Sequence, residues 1–143
     1  MSKPIETRAE FQDLAETRLE EAKRLLDIGK WDGTYYLAGY AVELALKACI
    51  IKSMMTTDAF PAKDFSKDCE THAYLRLLRA ARLEPEWELM CQAEKQFAAN
   101  WAHVSEWSEA MRYFRIEEAE ARDFYDAVSE PLHGVLPWIK ARW

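Results

Sequence analysis

The spacing of apolar residues near the start of the chain predicts an amphipathic helix over about residues 5 to 28. Apolar positions recur there at three- and four-residue steps with charged residues between them, as on one face of a helix. These positions are Phe11, Leu14, Ala15, Ala22, Leu25 and Leu26. Gly29 suits the end of this helix, and Asp32 is predicted to cap the next one. Trp31 and Tyr36 are expected to form a hydrophobic staple around that cap.

The second predicted helix runs from Asp32 to about Met54 and carries apolar or small residues on almost every face. A helix of this kind is buried on all sides, so we expect it at the centre of the fold. Gly39 inside it costs about 1 kcal/mol relative to alanine. We therefore interpret Gly39, like the alanines around it, as a position of close helix approach rather than of flexibility.

Two loops and two shorter helices are predicted to follow. Residues 55–70 lack any periodicity and form the first loop. Thr71 is expected to cap the third helix, and Pro85 to begin the fourth helix, which ends near Ala99. The aromatic stretch 100–114 is predicted to be the second loop.

The last predicted helix starts near Ile116 or Glu117, and Pro131 and Pro137 should kink or divide it. Its inner side is expected to carry Phe124, Val128, Leu132, Val135, Leu136 and Ile139. The pattern as a whole predicts an all-α fold in one domain over residues 1–143. It consists of a five-helix bundle with two long antiparallel helices and three shorter ones.

Composition narrows the class of protein. The 143 residues suit one domain, and four glycines and five prolines are few for a turn-rich β fold. A net charge of −6 disfavours sequence-independent nucleic-acid binding, which depends on neutralising many phosphates. Cys49, Cys69 and Cys91 show no C-x-x-C spacing, which indicates a reducing compartment. With no apolar leader or membrane-spanning stretch, we expect a soluble cytoplasmic protein.

A basic run stands out against the acidic balance. Arg76, Arg79 and Arg82 recur every three residues, with no acidic residue from Thr71 to Leu83. We interpret them as cations that favour the negative C-terminal end of a helix. A ligand site is the alternative interpretation.

Glu43 and Lys47 lie one helical turn apart inside the apolar second helix. On an exposed face such a pair would stabilise the helix by only about a few tenths of a kcal/mol. A buried carboxylate needs partners, so we expect a further cation or several donors at Glu43. Arg112, between apolar and aromatic residues just before the last helix, is our candidate for that second partner.

Three stretches resemble small prokaryotic HEPN domains: "RLEEAKRLLDIGKWDGTYYLAGYAVELALKACI", the pair Thr71 and His72 that opens a short helix, and "EWSEAMRYF" before the last helix. The most specific part is "YYLAGYAVELALKA", which carries Glu43 and Lys47 as that family often carries Glu and a cation. The resemblance implies a compact helical bundle that forms homodimers. Many members of the family that the chain resembles are metal-independent ribonucleases, whose signature is Arg, four to six residues, then His, at the start of the last helix.

The chain departs from that signature. Counted from Arg112, the histidine would fall at Glu117, Glu118 or Ala119, and counted from Arg115 it would fall at residues 120–122, which are Glu, Ala and Arg. A carboxylate is ionised near neutral pH, so it offers no proton to a leaving group and repels phosphate. The sequence therefore predicts that the catalytic histidine is missing.

Metal sites have little support in the sequence. Cys69 and His72 have a C-x-x-H spacing but no second pair, so we expect a locally bonded histidine instead. Glu130 and His133 form one E-x-x-H unit of the kind that di-iron bundles repeat, and only a symmetric dimer that also doubled Glu43 would complete a set. Pro131 breaks the register of that unit. We predict no metal and no cofactor.

These observations lead to three hypotheses. The first is a non-catalytic HEPN-like binding module, a homodimer that serves a nucleotide or a partner protein, such as a nucleotidyltransferase of a two-component, toxin-antitoxin-like system. The second is an endoribonuclease toxin with a degenerate site on Arg112, supported by Glu43, Lys47 and Tyr113. The third is a structural role, in which Glu43, Lys47 and Arg112 only fix the packing.

Two further sets of residues are candidates for binding. His72, which opens the short third helix, and Arg76 within that helix belong with Tyr113 to the candidate binding residues. Trp107, Trp138 and Trp143, in a loop or near the end of the sequence, are candidate anchors of a dimer or partner surface.

Overall fold

The computed structural model describes residues 2–55 and 70–143, and in them it has α-helices, one 3-10 helix and no strand. The α-helices are α1 (Arg8–Asp27), α2 (Trp31–Met55), α3 (Tyr74–Ala80), α4 (Glu84–Ala93), α5 (Lys95–Val104), α6 (Glu118–Ser129) and α7 (Val135–Lys140), and the 3-10 helix is η1 (Glu109–Tyr113). The predicted all-α class is confirmed. The described residues hold seven α-helices where five were predicted, because the predicted fourth helix is divided at Glu94 and the last one is divided at Pro131, as its prolines indicated.

α1 and α2 are the two long helices, and they run antiparallel. Residues 28–30 connect them, with Gly29 at a φ of 78° that a glycine adopts without strain. Gly33, near the start of α2, packs on Leu25 near the end of α1. Phe11, near the start of α1, shares a cavity with Met54 at the other end of α2.

α2 is the central helix, as its apolar sequence predicts, and most of its length is buried. Gly39 is a position of close approach, but its neighbour is the Trp107 ring rather than another helix. That ring stacks on Tyr74 with the centroids 5.5 Å apart, and the Tyr74 hydroxyl donates to the Gly39 carbonyl at 2.7 Å. The segment after α5 is thereby held against α2.

Asp32 does not cap its own helix, because α2 begins one residue earlier, at Trp31. Its carboxylate instead accepts a hydrogen bond from the Ile116 backbone N–H at 2.6 Å and pairs with Arg115 at 3.2 Å. The expected staple is also wrong, since Trp31 lies under Arg122 and Tyr36 contacts other aromatic rings. Asp32 therefore fixes the chain before α6 to the start of α2.

Helix boundaries in the second half differ from the prediction in three places. Ala73, not Thr71, is the N-cap of α3, and the Thr71 hydroxyl accepts from the Ala73 N–H at 3.2 Å. Glu94 is extended and divides the predicted fourth helix into α4 and α5. α5 then covers the first part of the predicted second loop, and Trp101 in it is buried.

Pro131 divides the last predicted helix into α6 and α7, while Pro137 is accommodated in the first turn of α7. Leu132 was expected on the inner side, but it lies in the connecting turn and is 79% exposed. The other five predicted inner residues are buried. Trp107 and Trp138 are buried too, so neither is a surface anchor, whereas Trp143 is only partly buried.

Among the residues that the structure describes, no helix is both long and apolar enough to cross a membrane.

Candidate functional site

The buried carboxylate of α2 is the centre of a short chain of charged groups. Glu43 is 3% exposed, and its Oε2 lies 3.2 Å from Nζ of Lys47. Its other oxygen, Oε1, lies 2.6 Å from Nδ1 of His72, and Nε2 of His72 lies 3.0 Å from Glu109. Each ring nitrogen of His72 thus faces a carboxylate. An imidazole ring that carries a proton on both nitrogens donates one hydrogen bond to each of the two carboxylates.

Three separate elements supply this Glu43–His72–Glu109 chain. Glu43 lies in the buried central helix α2, His72 lies just before α3, and Glu109 is the first residue of η1. The side chains become more exposed to solvent from Glu43 to Glu109: that of Glu43 is 4% exposed, that of His72 37% and that of Glu109 48%. The chain therefore connects the core to the surface and holds η1 near α2.

His72 was expected to be bonded locally, but both of its partners are far away in sequence. It also fills the place predicted for Arg112 as the second partner of Glu43. Glu109 was missed altogether, because nothing in its own stretch of sequence indicates a partner 37 residues earlier. Arg76 lies in α3 and has interactions of its own.

Arg112 lies at the surface in η1, with its guanidinium carbon 4.9 Å from the centre of the Tyr113 ring. Hydrogen bonding to Tyr113, and less strongly to Tyr36, raises the pKa of the guanidinium. Tyr36 in turn bonds Tyr40 through the two hydroxyls, 3.2 Å apart. Burial, followed by this hydrogen bond, raises the pKa of Tyr40, so the Tyr40 hydroxyl keeps its proton at neutral pH.

The surface around Arg112 is apolar and basic at once. Tyr113 is 79% and Phe114 56% exposed, and the Arg115 side chain is 95% exposed although it pairs with Asp32. We call Arg112, Tyr113, Phe114 and Arg115 the Arg112 patch. Isolated exposed aromatic residues are common, but two beside two arginines form the kind of surface that protein interfaces use.

A cleft of about 520 Å³ opens beside His72 and Glu109, and we call it the aromatic cleft. Its walls include Trp87, Trp101 and Trp107. The buried indole nitrogens of Trp87 and Trp107 have no hydrogen-bond partner in the described residues. The volume lies in the range of small-molecule sites, and the lining suits a planar group.

The E-x-x-H unit has a local structural role. The Glu130 carboxylate accepts hydrogen bonds from the backbone N–H groups of Leu132 and His133, which closes the turn after α6. These bonds lower the pKa of Glu130. Within residues 2–55 and 70–143, no group of three or more His, Cys, Asp or Glu side chains could hold a metal ion. Cys69 of the C-x-x-H spacing lies outside the described residues.

Cysteine reactivity gives a direct check of this arrangement. Cys49 is 3% exposed, and burial raises the pKa of its thiol to about 12. Cys91 is only partly buried, although burial also raises its pKa. Because the thiolate is the reactive form, we expect iodoacetamide at pH 8 to label Cys91 at least about tenfold faster than Cys49. Peptide mass spectrometry measures both rates, and 6 M urea should make them similar.

The helical architecture, with an acid and a cation one turn apart in the buried central helix, defines a class of small all-helical domains. The HEPN domain family model matches residues 10–130, and the chain belongs to this family. No curated protein and no solved structure matches the chain significantly.

Proposed function

We propose that this chain is a binding module of the HEPN family that works as a homodimer and serves a partner protein, and that it is not a ribonuclease. The observation that carries this proposal is the set of residues around Arg112, which lacks a catalytic histidine. No histidine follows it at the spacing of the family's ribonucleases, and Glu117 and Glu118 stand there instead. His72 is bound between two carboxylates, and no contact joins it to Arg112.

The acidic residues after Arg112 also oppose cleavage of RNA. Glu117 is the residue at the N-cap position of α6, and Glu118 and Glu120 lie in the first turn, where the positive end of the helix favours carboxylates. These negative charges, a few residues along the chain from Arg112, would repel a phosphodiester brought to that arginine. General acid catalysis would further need a proton donor, and ionised carboxylates do not supply one.

A second copy of the chain is the occupant that we propose for the Arg112 patch. In a twofold dimer the same surface meets itself, so it must be self-complementary. The patch carries two arginines, and the acidic first turn of α6 follows it directly. Across a twofold axis, the arginines of each copy can pair with the acids of the other while the aromatic rings meet.

Light scattering after size-exclusion chromatography tests the dimer. We expect the wild type to be a dimer and the Tyr113→Ser, Phe114→Ser double variant to dissociate about tenfold more readily or worse, because it loses two aromatic contacts at the interface. Leu89→Ser is the control, since Leu89 is 66% exposed on α4. A monomeric wild type, or equal effects of both changes, would contradict the proposed interface.

For the partner, a protein has more support than a nucleotide. The aromatic cleft would accept a planar base, but Glu109 at its edge would repel the phosphates that accompany the base. A nucleotidyltransferase partner in a toxin-antitoxin-like system follows from the family resemblance alone. The second candidate, an endoribonuclease centred on Arg112, has one observation in its favour: the guanidinium is at the surface, where an RNA phosphate could reach it.

A further inference from the structure

The aromatic cleft has a wall of neighbouring rings. The Trp87 and Trp101 rings lie 5.4 Å apart between their centroids. Tyr74 continues the wall, 6.4 Å from Trp101 on one side and 5.5 Å from Trp107 on the other. Trp87 is only partly buried, and Leu75, which also lines the cleft, is 39% exposed. The wall therefore keeps apolar surface that a ligand can cover.

The polar part of the lining consists of hydroxyl groups and an acid. Thr71, Ser105 and Ser108 contribute hydroxyls, and Glu109 contributes a carboxylate whose side chain is 48% exposed. Among the residues that the structure describes, no lysine or arginine lines the cleft. Sites for phosphate or carboxylate groups usually present such cations, so this lining disfavours an anionic ligand.

His72 does not make the edge of the cleft positive. One imidazole is shared by Glu43 and Glu109, and Lys47 already pairs with Glu43. These four groups together carry one negative charge when the imidazole is neutral and no net charge when it is protonated. Arg112, the one cation of η1, is not among the lining residues. The charge next to the rings is thus negative or balanced in either state of His72.

We propose that the aromatic cleft binds a small planar organic cation, whose flat body lies against the wall of rings and whose charged group pairs with Glu109. Aromatic rings attract cations within about 6 Å of their centroids, and tryptophan does so most strongly. A planar amidinium or guanidinium group can also donate two parallel hydrogen bonds to one carboxylate. The cleft volume of about 520 Å³ suits a ligand of this size. The proposal is independent of the dimer and of the partner protein.

Benzamidine, a planar amidinium cation, is the probe for this site, and benzamide is its neutral counterpart of nearly the same shape. Proton–nitrogen correlation NMR follows the indole N–H signals during titration, and the missing signal of Trp87→Phe assigns Trp87. We expect benzamidine to shift the signals of the cleft tryptophans until they saturate. Benzamide should bind about tenfold more weakly or worse, because it lacks the charge that pairs with the carboxylate. This comparison uses the wild-type chain alone.

Two matched variants locate the charge that the cation recognises. Glu109→Gln should bind benzamidine about tenfold more weakly and lose the preference over benzamide. Glu106→Gln removes an exposed carboxylate three residues earlier that does not line the cleft, so it should bind benzamidine like the wild type. That pattern, with folding verified by circular dichroism, would support the site. If the wild type does not bind benzamidine, if benzamide binds as tightly, or if both variants bind benzamidine equally well, the proposal is wrong.

Discussion

Replacing Gly39 with alanine is expected to destabilise the protein by about 3 kcal/mol, the upper part of the usual range for overpacking a core. A Cβ at this position would overlap the indole of Trp107, which is itself 4% exposed and stacked on Tyr74. The ring has no space to withdraw without losing that stacking and the Tyr74 hydrogen bond to Gly39. Urea denaturation monitored by tryptophan fluorescence measures the change in the free energy of unfolding.

Gly33 is the matched control for this prediction, because it lies six residues earlier in the same helix. A Cβ there would come within 2.8 Å of Cδ1 of Leu25, the end of a flexible side chain that can rotate away. Alanine also gains roughly 1 kcal/mol of helix propensity, so Gly33→Ala should stay within about 1 kcal/mol of the wild type. Equal stabilities of the two variants would show that the close approach of Trp107 is not a constraint.

Glu43→Ala is expected to destabilise the protein by about 3 kcal/mol, since removing one member of a buried ion pair leaves its partners uncompensated. Lys47 and His72 would both lose the carboxylate that pairs with them, and the side chain of Lys47 is only 18% exposed. The missing side-chain atoms would also leave a cavity beside α2. Glu43→Gln keeps the volume and can still accept hydrogen bonds, so its cost should be about half as large.

The control for Glu43 is the other end of the same chain of charges. Glu109→Ala removes a carboxylate that is 48% exposed, and such surface pairs contribute about 1 kcal/mol or less. Urea denaturation of the three variants gives the comparison. If Glu43→Ala were as mild as Glu109→Ala, the buried carboxylate would not be the anchor of the chain.

The sequence predicts those features that depend on local spacing. Helical periodicity predicts α1 and the central position of α2, and the step of four residues places Glu43 beside Lys47. Gly39 could be interpreted as a close approach because nothing else justifies its cost in a helix. The departure from the ribonuclease signature also needs only counting along the chain.

Contacts between distant segments could not be predicted in the same way. His72 contacts Glu43, which lies 29 residues away in the sequence, and Asp32 contacts Ile116, which lies 84 residues away. From the sequence alone, His72 and Asp32 have the simpler interpretation of residues at the start of a helix. The aromatic stretch 100–114 is as compatible with a buried helix end as with a loop, and only its packing on α2 distinguishes the two. Arg112 was assigned inward because its neighbours are apolar, but Tyr113 and Phe114 are exposed with it.

The most direct test of the central claim is incubation of the purified protein with a mixed RNA pool in the presence of EDTA, beside Arg112→Ala. A binding module without the ribonuclease histidine should leave the RNA intact, and the two proteins should behave alike. Cleavage by the wild type that disappears in Arg112→Ala, with folding of the variant verified by circular dichroism, would contradict the account and establish the enzyme instead.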